Sequence, residues 1–101
     1  MSKINKEICK YINDDLTKDL SLEQLSEKYY LSKTHLNRLF KTNVGTTVGQ
    51  YIKLKRLFLA RELLSQGMHP TEVYSHCGFR DYSTFFRAFK NQFNKAPATF
   101  R

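Results

Sequence analysis

Long apolar runs, proline, glycine and cysteine are all scarce in this chain of 101 residues, and each scarcity removes a class of protein. No stretch approaches the length of a membrane span, and no signal-peptide-like apolar segment follows the start, so the chain is expected in the cytoplasm. Two prolines and four glycines leave no Pro/Ser/Gly-rich linker, no low-complexity segment and no glycine-rich phosphate loop. Cys9 and Cys77 are isolated, with no Cys-x-x-Cys. They read as reduced small side chains in a reducing compartment, not as a disulfide framework. After residue 28 the only acids are Glu62, Glu72 and Asp81. No Ser/His/acid or Cys/His constellation accompanies them, so an enzyme lacks its parts. His76 stands beside Cys77, but adjacent residues point apart on a helix and no further ligand stands at usable spacing. No metal and no cofactor are expected.

What is present is positive charge, unevenly placed. The chain carries a formal net charge of +8. Residues 1–28 hold five lysines and six acids, and residues 29–101 hold twelve Lys and Arg against three acids. A basic excess confined to one part of a chain suits a polyanionic partner. The content of 41% hydrophobic residues, with eight Phe and six Tyr, supports a modest core and argues against disorder.

The apolar spacing is helical throughout. Ile4, Ile8, Ile12 and Leu16 recur every four residues, with Tyr11 alongside, and predict a first amphipathic helix. Ser21-Leu22-Glu23-Gln24 has the form of a capping box and opens a second helix with Leu22 and Leu25 inward. Ser32 caps a third, which buries Leu36, Leu39 and Phe40 and exposes Lys33, Thr34, Asn37, Arg38 and Lys41. Thr47-Val48-Gly49-Gln50 forms a second box ahead of the longest helix, over about residues 48–65, which spans roughly 27 Å at 1.5 Å per residue. Gly67 stops it, and Pro70 suits the first turn of the next helix. Gly78 and Phe79 make a turn, and Asp81 caps a sixth helix with Phe85, Ala88, Phe89 and Phe93 inward. A last short helix begins at Pro97. The expectation is an all-α protein of about seven helices, with no strand.

Within this pattern one unit occurs twice. Residues 25–41 and 73–90 each hold a short helix, a turn, an N-cap residue and a second amphipathic helix. The second helices end in Arg38-Leu39-Phe40-Lys41 and Arg87-Ala88-Phe89-Lys90. These are two helix-turn-helix units, and the second helix of such a unit fits the major groove of DNA. The predicted organisation is a first subdomain over residues 1–46, a connecting helix over 47–66 and a second subdomain over 67–101. Two rivals remain at this level, a non-specific nucleoid-type DNA-binding protein and a protein-interaction module.

The chain resembles the DNA-binding domain of the AraC/XylS family of bacterial transcription regulators. The resemblance covers nearly the whole sequence. It rests on Leu31-Ser32 with Leu36 and Arg38-Leu39-Phe40-Lys41, then on Tyr51-Ile52 with Arg56 and Ala60. Its strongest piece is Gly78-Phe79-x-Asp81-x-Ser83-x-Phe85-x-Arg87-x-Phe89-Lys90, closed by Pro97 and Arg101. It implies sequence-specific binding to promoter DNA, usually to activate transcription through contact with RNA polymerase. Most of the family carries a further ligand-sensing or dimerisation domain, though stand-alone versions exist, and the favoured expectation is that this chain is an excised C-terminal domain. Four positions depart from the family pattern. Ser26 and Tyr74 stand where Ala is usual, and Tyr30 and Asn94 where Gly is usual. The large Tyr74 is expected either to splay the second unit slightly or to turn its ring outward.

Carried onto this sequence, the resemblance assigns Thr34, Asn37 and Arg38 to base edges, and Lys33 and Lys41 to phosphates. Arg38 has the donor fork for guanine O6 and N7, Asn37 the donor–acceptor pair for adenine, and Thr34 a methyl for thymine. Arg38 as a phosphate clamp is the plainer alternative. His35 matches an inward or capping position, and His69 a loop. In the second unit Tyr82, Ser83, Thr84, Phe86 and Arg87 face DNA, with Arg80 and Lys90 on the backbone. Tyr82 and Phe86, four apart, suit thymine methyls and sugars; the alternative is that Phe86 packs beside Phe85 and Phe89. Leu54 and Phe58 lie away from the expected inward stripe of the long helix, formed by Ile52, Leu59, Ala60 and Leu63. They either form a partner-docking face or are covered by the subdomains.

Overall fold

Side chains set where most of the helices begin. Ser21 Oγ accepts the Gln24 N–H at 3.1 Å, Ser32 Oγ accepts the His35 N–H at 3.1 Å, and Asp81 Oδ1 accepts the Thr84 N–H at 2.8 Å. Each bond satisfies one of the four backbone donors that a helix start leaves without an intrahelical acceptor. The computed structural model describes residues 3–101. In order these form α1 (Lys3–Asp14), α2 (Leu22–Tyr29), α3 (Lys33–Asn43), α4 (Val48–Ser65), α5 (Pro70–His76), α6 (Tyr82–Phe93) and a 3₁₀ turn (Pro97–Phe100). No strand forms among the described residues. The chain is all-α, as its periodicity requires.

The two capping boxes form only in half. The Ser21 N–H donates to Asp19 Oδ1 at 3.3 Å and not to Gln24. The Gln50 N–H donates to Thr47 at 3.3 Å, while the Gln50 side chain accepts the Thr46 hydroxyl at 2.6 Å. In both cases a short side chain close in sequence captures the group that the box would have used.

The chain divides into two units, the first ending at Lys53 and the second beginning at Leu54. The first core holds Ile8, Ile12, Leu20, Leu25, Leu36, Phe40, Val48 and Ile52. Asn5 is buried with it, and its amide donates weakly to Cys9 Sγ at 3.9 Å. The second core holds Leu57, Ala60, Leu64, Val73, Cys77, Phe85, Ala88 and Phe89. Helix α4 serves both cores. A single inward stripe of Ile52, Leu59, Ala60 and Leu63 is therefore not what forms. Val48 and Ile52 are buried in the first core and Leu57, Ala60 and Leu64 in the second, with Leu59 and Leu63 half-buried. A helical wheel assumes one partner along the whole helix, and this helix has two.

Left-handed backbone at a non-glycine residue ends two of the helices. Tyr30 has φ 55° after α2 and Asn94 has φ 62° after α6. Asn adopts this conformation readily; Tyr does so at a cost. Gly67, with φ 100°, lets the chain leave α4. An added Cβ there would meet nothing within 4 Å, so the glycine is needed for its dihedral and not for space. The Arg101 Nε donates to the Gly67 carbonyl at 3.0 Å. The last residue thus ties the closing turn to the end of α4.

Candidate nucleic-acid interface

Helix α3 is anchored by Leu36 and Phe40, which are fully buried. Their spacing turns Lys33, Thr34, Arg38 and Lys41 outward, and all four are exposed. Ser26 stabilises the approach to α3, because its hydroxyl donates to the Leu31 carbonyl across the turn. A serine here supplies a bond that alanine could not, which accounts physically for one departure from the family pattern. Lys33 pairs with Glu23 at 2.8 Å, and this pair holds the Glu23 carboxyl below its usual range. The pair is exposed, of the kind that contributes little and exchanges readily for another anion.

Two residues of α3 sit differently from expectation. His35 is exposed, where an inward or capping position was expected. The cap is supplied by Ser32, and the two buried positions are filled by Leu36 and Phe40, so no inward place is left for the imidazole. Asn37 is half-buried, and its Oδ1 accepts the Val48 N–H at 3.1 Å. Val48 opens α4, so the Asn37 oxygen serves as that helix's cap from a distance. Bidentate reading of adenine needs the same oxygen, which in this arrangement is committed within the protein.

Helix α6 is anchored by Phe85, Ala88 and Phe89. Arg80, Ser83, Thr84, Arg87 and Lys90 are exposed. Asp81 accepts both the Thr84 N–H and, at 3.0 Å, the Thr84 hydroxyl. These two bonds hold the Asp81 carboxyl below its usual range, with a smaller contribution from the nearby Arg87 charge. Thr84 therefore faces outward with its hydroxyl already used. Tyr82 is 36% exposed and Phe86 half-buried, with ring centroids 5.9 Å apart. Tyr74 is half-buried and meets Tyr82 edge-on at 6.1 Å. The large residue in the alanine position thus buttresses the first turn of α6.

Among the described residues, Arg38, Lys41, Arg80, Arg87 and Lys90 take part in no ion pair. Exposed cations on α3, on α6 and just before it are what an anionic backbone would attract. Leu54 and Phe58 do not form one exposed pair. Leu54 is half-buried. Phe58 is 41% exposed, with its ring edge-on to Phe93 at 5.8 Å. The Arg61 guanidinium lies over both rings, at 5.1 and 4.9 Å. Phe58, Arg61, Glu62, Ser65 and Phe100 line a shallow surface depression.

Sequence reasoning missed three features. The His69 Nδ1 accepts the Thr71 N–H at 3.3 Å and so caps α5; a proline in the next position was the available signal. Tyr30 is 94% exposed, and Asn5 is buried. Neither can be told from periodicity alone.

The chain has many relatives. A helix-turn-helix domain family matches residues 25–101. The multiple antibiotic resistance protein MarA of Escherichia coli is 36% identical over 95 residues, covering 93% of this chain and 75% of that protein. The probable transcriptional regulator LumQ of Photobacterium leiognathi is 34% identical over 92 residues, covering 90% of this chain but only 37% of LumQ. Among solved structures, the C-terminal domain of the two-component response regulator yesN from Fusobacterium nucleatum superposes with TM-score 0.91 at 30% identity, covering 99% of both chains. The DNA-binding domain of AdpA, solved in complex with a target DNA, superposes with TM-score 0.88 at 25% identity, covering 94% of this chain and 86% of that one.

Proposed function

Because the chain belongs to the AraC/XylS family of helix-turn-helix transcription regulators, we propose that it binds promoter DNA sequence-specifically, with α3 and α6 in successive major-groove segments. The observation that carries this is the duplicated presentation. Each unit has its own buried core, and each turns a helix with exposed cations outward, Lys33, Arg38 and Lys41 on α3 and Arg87 and Lys90 on α6. The two segments lie about one helical turn apart, roughly 34 Å, and the units differ in sequence, so the site is asymmetric and bound by a monomer. Arg38 and Arg87 read bases from their respective helices, Thr34 and Ser83 contact base edges, and Lys33, Lys41, Arg80 and Lys90 grip phosphates. In the cytoplasm the bound protein activates transcription through RNA polymerase, under a regulatory domain where the full protein has one. On the face around Leu54 and Phe58, the exposed Phe58 ring beside Arg61 is the part suited to such a partner.

The test is a competition mobility shift over a salt series with footprinting. Arg38→Ala and Arg87→Ala are each expected to cost about 1–3 kcal/mol on the selected site and to relax preference in one half of it. Lys41→Ala is expected to weaken all sequences alike and to flatten the salt dependence by about one unit. Uniform losses from Arg38→Ala would make that residue a phosphate clamp. A palindromic footprint needing two copies would refute the monomeric mode. Equal affinity for every fragment would leave a non-specific nucleoid-type protein, and no DNA binding at all a protein-interaction module.

A further inference from the structure

The two outward helices differ in chemistry, and the difference bears on what the second one reads. On α3 the exposed residues of the first turns are Lys33, Thr34, His35 and Arg38, all polar and none of them an aromatic ring of the Phe or Tyr kind. On α6 the corresponding surface is built around Tyr82 and Phe86, whose rings pack against each other at 5.9 Å. Tyr82 is held further by Tyr74 at 6.1 Å and by Phe85 at 6.1 Å. The Thr84 hydroxyl, which could have read a base, is bound to Asp81. In the first two turns of α6, apart from the Tyr82 hydroxyl, Ser83 and Arg87 are left as the exposed polar groups.

Resting on the reading above, we propose that α6 selects its half of the site through the C5 methyl groups of thymines, with Tyr82 and Phe86 as the specificity-determining residues. Three observations converge. The aromatic pair is fixed by its neighbours before any ligand arrives, so little side-chain entropy is lost on contact. Exposed Arg80 and Lys90 on the same unit complement a phosphate backbone, which makes the occupant a polyanion with apolar points. The major groove presents one such apolar point per A·T pair, the thymine methyl. Because Tyr82 already touches three other rings, it offers an apolar edge more than an open face for stacking an unpaired base.

The experiment uses a duplex selected from a randomised pool by the whole chain, then remade with deoxyuridine for thymine in one half at a time. Deoxyuridine keeps every hydrogen-bonding group and removes only the methyl. In one half, binding should weaken by roughly fourfold for each methyl lost, the transfer value of one buried carbon. Phe86→Ser and Tyr82→Ser should bind the thymine and uridine versions of that half alike. Circular dichroism establishes that the variants fold, and the nucleotide substitution itself requires no variant. Equal affinity for thymine and uridine in both halves would overturn methyl reading while leaving sequence-specific binding in place. A uridine effect unchanged in both aromatic variants would overturn the assignment to Tyr82 and Phe86. Preference for the single strand over the duplex would overturn it in favour of base stacking. Failure to select any duplex would reject the proposed function itself.

Discussion

Replacing Asn37 separates a reading residue from a structural one. Its Oδ1 accepts the Val48 N–H at 3.1 Å, and Val48 is itself fully buried in the first core. Asn37→Ala removes the acceptor and leaves a helix-start donor unpaired beside that core. The expected loss is about 0.5–2 kcal/mol, the range for deleting a capping side chain. In a domain of this size each kcal/mol moves the melting temperature by roughly 4–8 °C. Asn37→Asp keeps the acceptor and adds a negative charge at the start of α4, which the helix dipole favours by about 0.3–1 kcal/mol at low salt. The aspartate variant should therefore melt at or above the parent temperature. Yet the same charge sits on a helix proposed to face phosphates, so its DNA affinity should fall. Thermal denaturation followed by circular dichroism, with mobility shifts on the same preparations, reads both effects. Stability and affinity then move in opposite directions for Asp, while Ala lowers stability first. The reasoning is refuted if Asn37→Ala melts with the parent but loses discrimination at one adenine, because the side chain would then be a reader and the Val48 bond incidental.

Further outcomes follow from particular strains and environments. Tyr30→Gly should stabilise the chain by about 0.5 kcal/mol or more, since left-handed backbone costs a non-glycine residue roughly 1–2 kcal/mol and this ring is 94% exposed; a loss of stability in chemical denaturation would mean that the ring makes a contact of value. Burial pushes the Cys77 thiol up to about 12, while Cys9 is only half-buried. A thiol reagent at neutral pH should modify Cys9 well before Cys77, and rapid labelling of Cys77 in the folded chain would contradict its placement. Since the folded Cys77 keeps its proton where the unfolded thiol loses it, this contribution to stability is complete below the ordinary thiol range. It then declines as pH rises from that range towards 12, which denaturation midpoints across alkaline pH would register.

Helix number, type and order were legible in the residues because local physics sets them. Ser21, Ser32 and Asp81 cap whatever apolar period follows, and Gly67 and Asn94 end helices through their own dihedral freedom. The repeat of Arg-x-Phe-Lys likewise marks two equivalent outward helices in the residues themselves. What periodicity could not reveal is which surface covers a given face. α4 reads as a helix with one stripe, but two cores divide it, so Leu57 and Leu64 are buried where Leu59 and Leu63 were expected. Phe58 meets Phe93 from 35 positions away in the chain, a contact that no window along the sequence contains. Hydrogen-bond allegiance is equally non-local. Asn37 looks like a free amide on an exposed helix until the start of α4 arrives to claim its oxygen, eleven residues on. Propensity and capping act over a few residues and are written in the sequence. Burial and partner choice depend on which elements meet, and only the folded chain decides that.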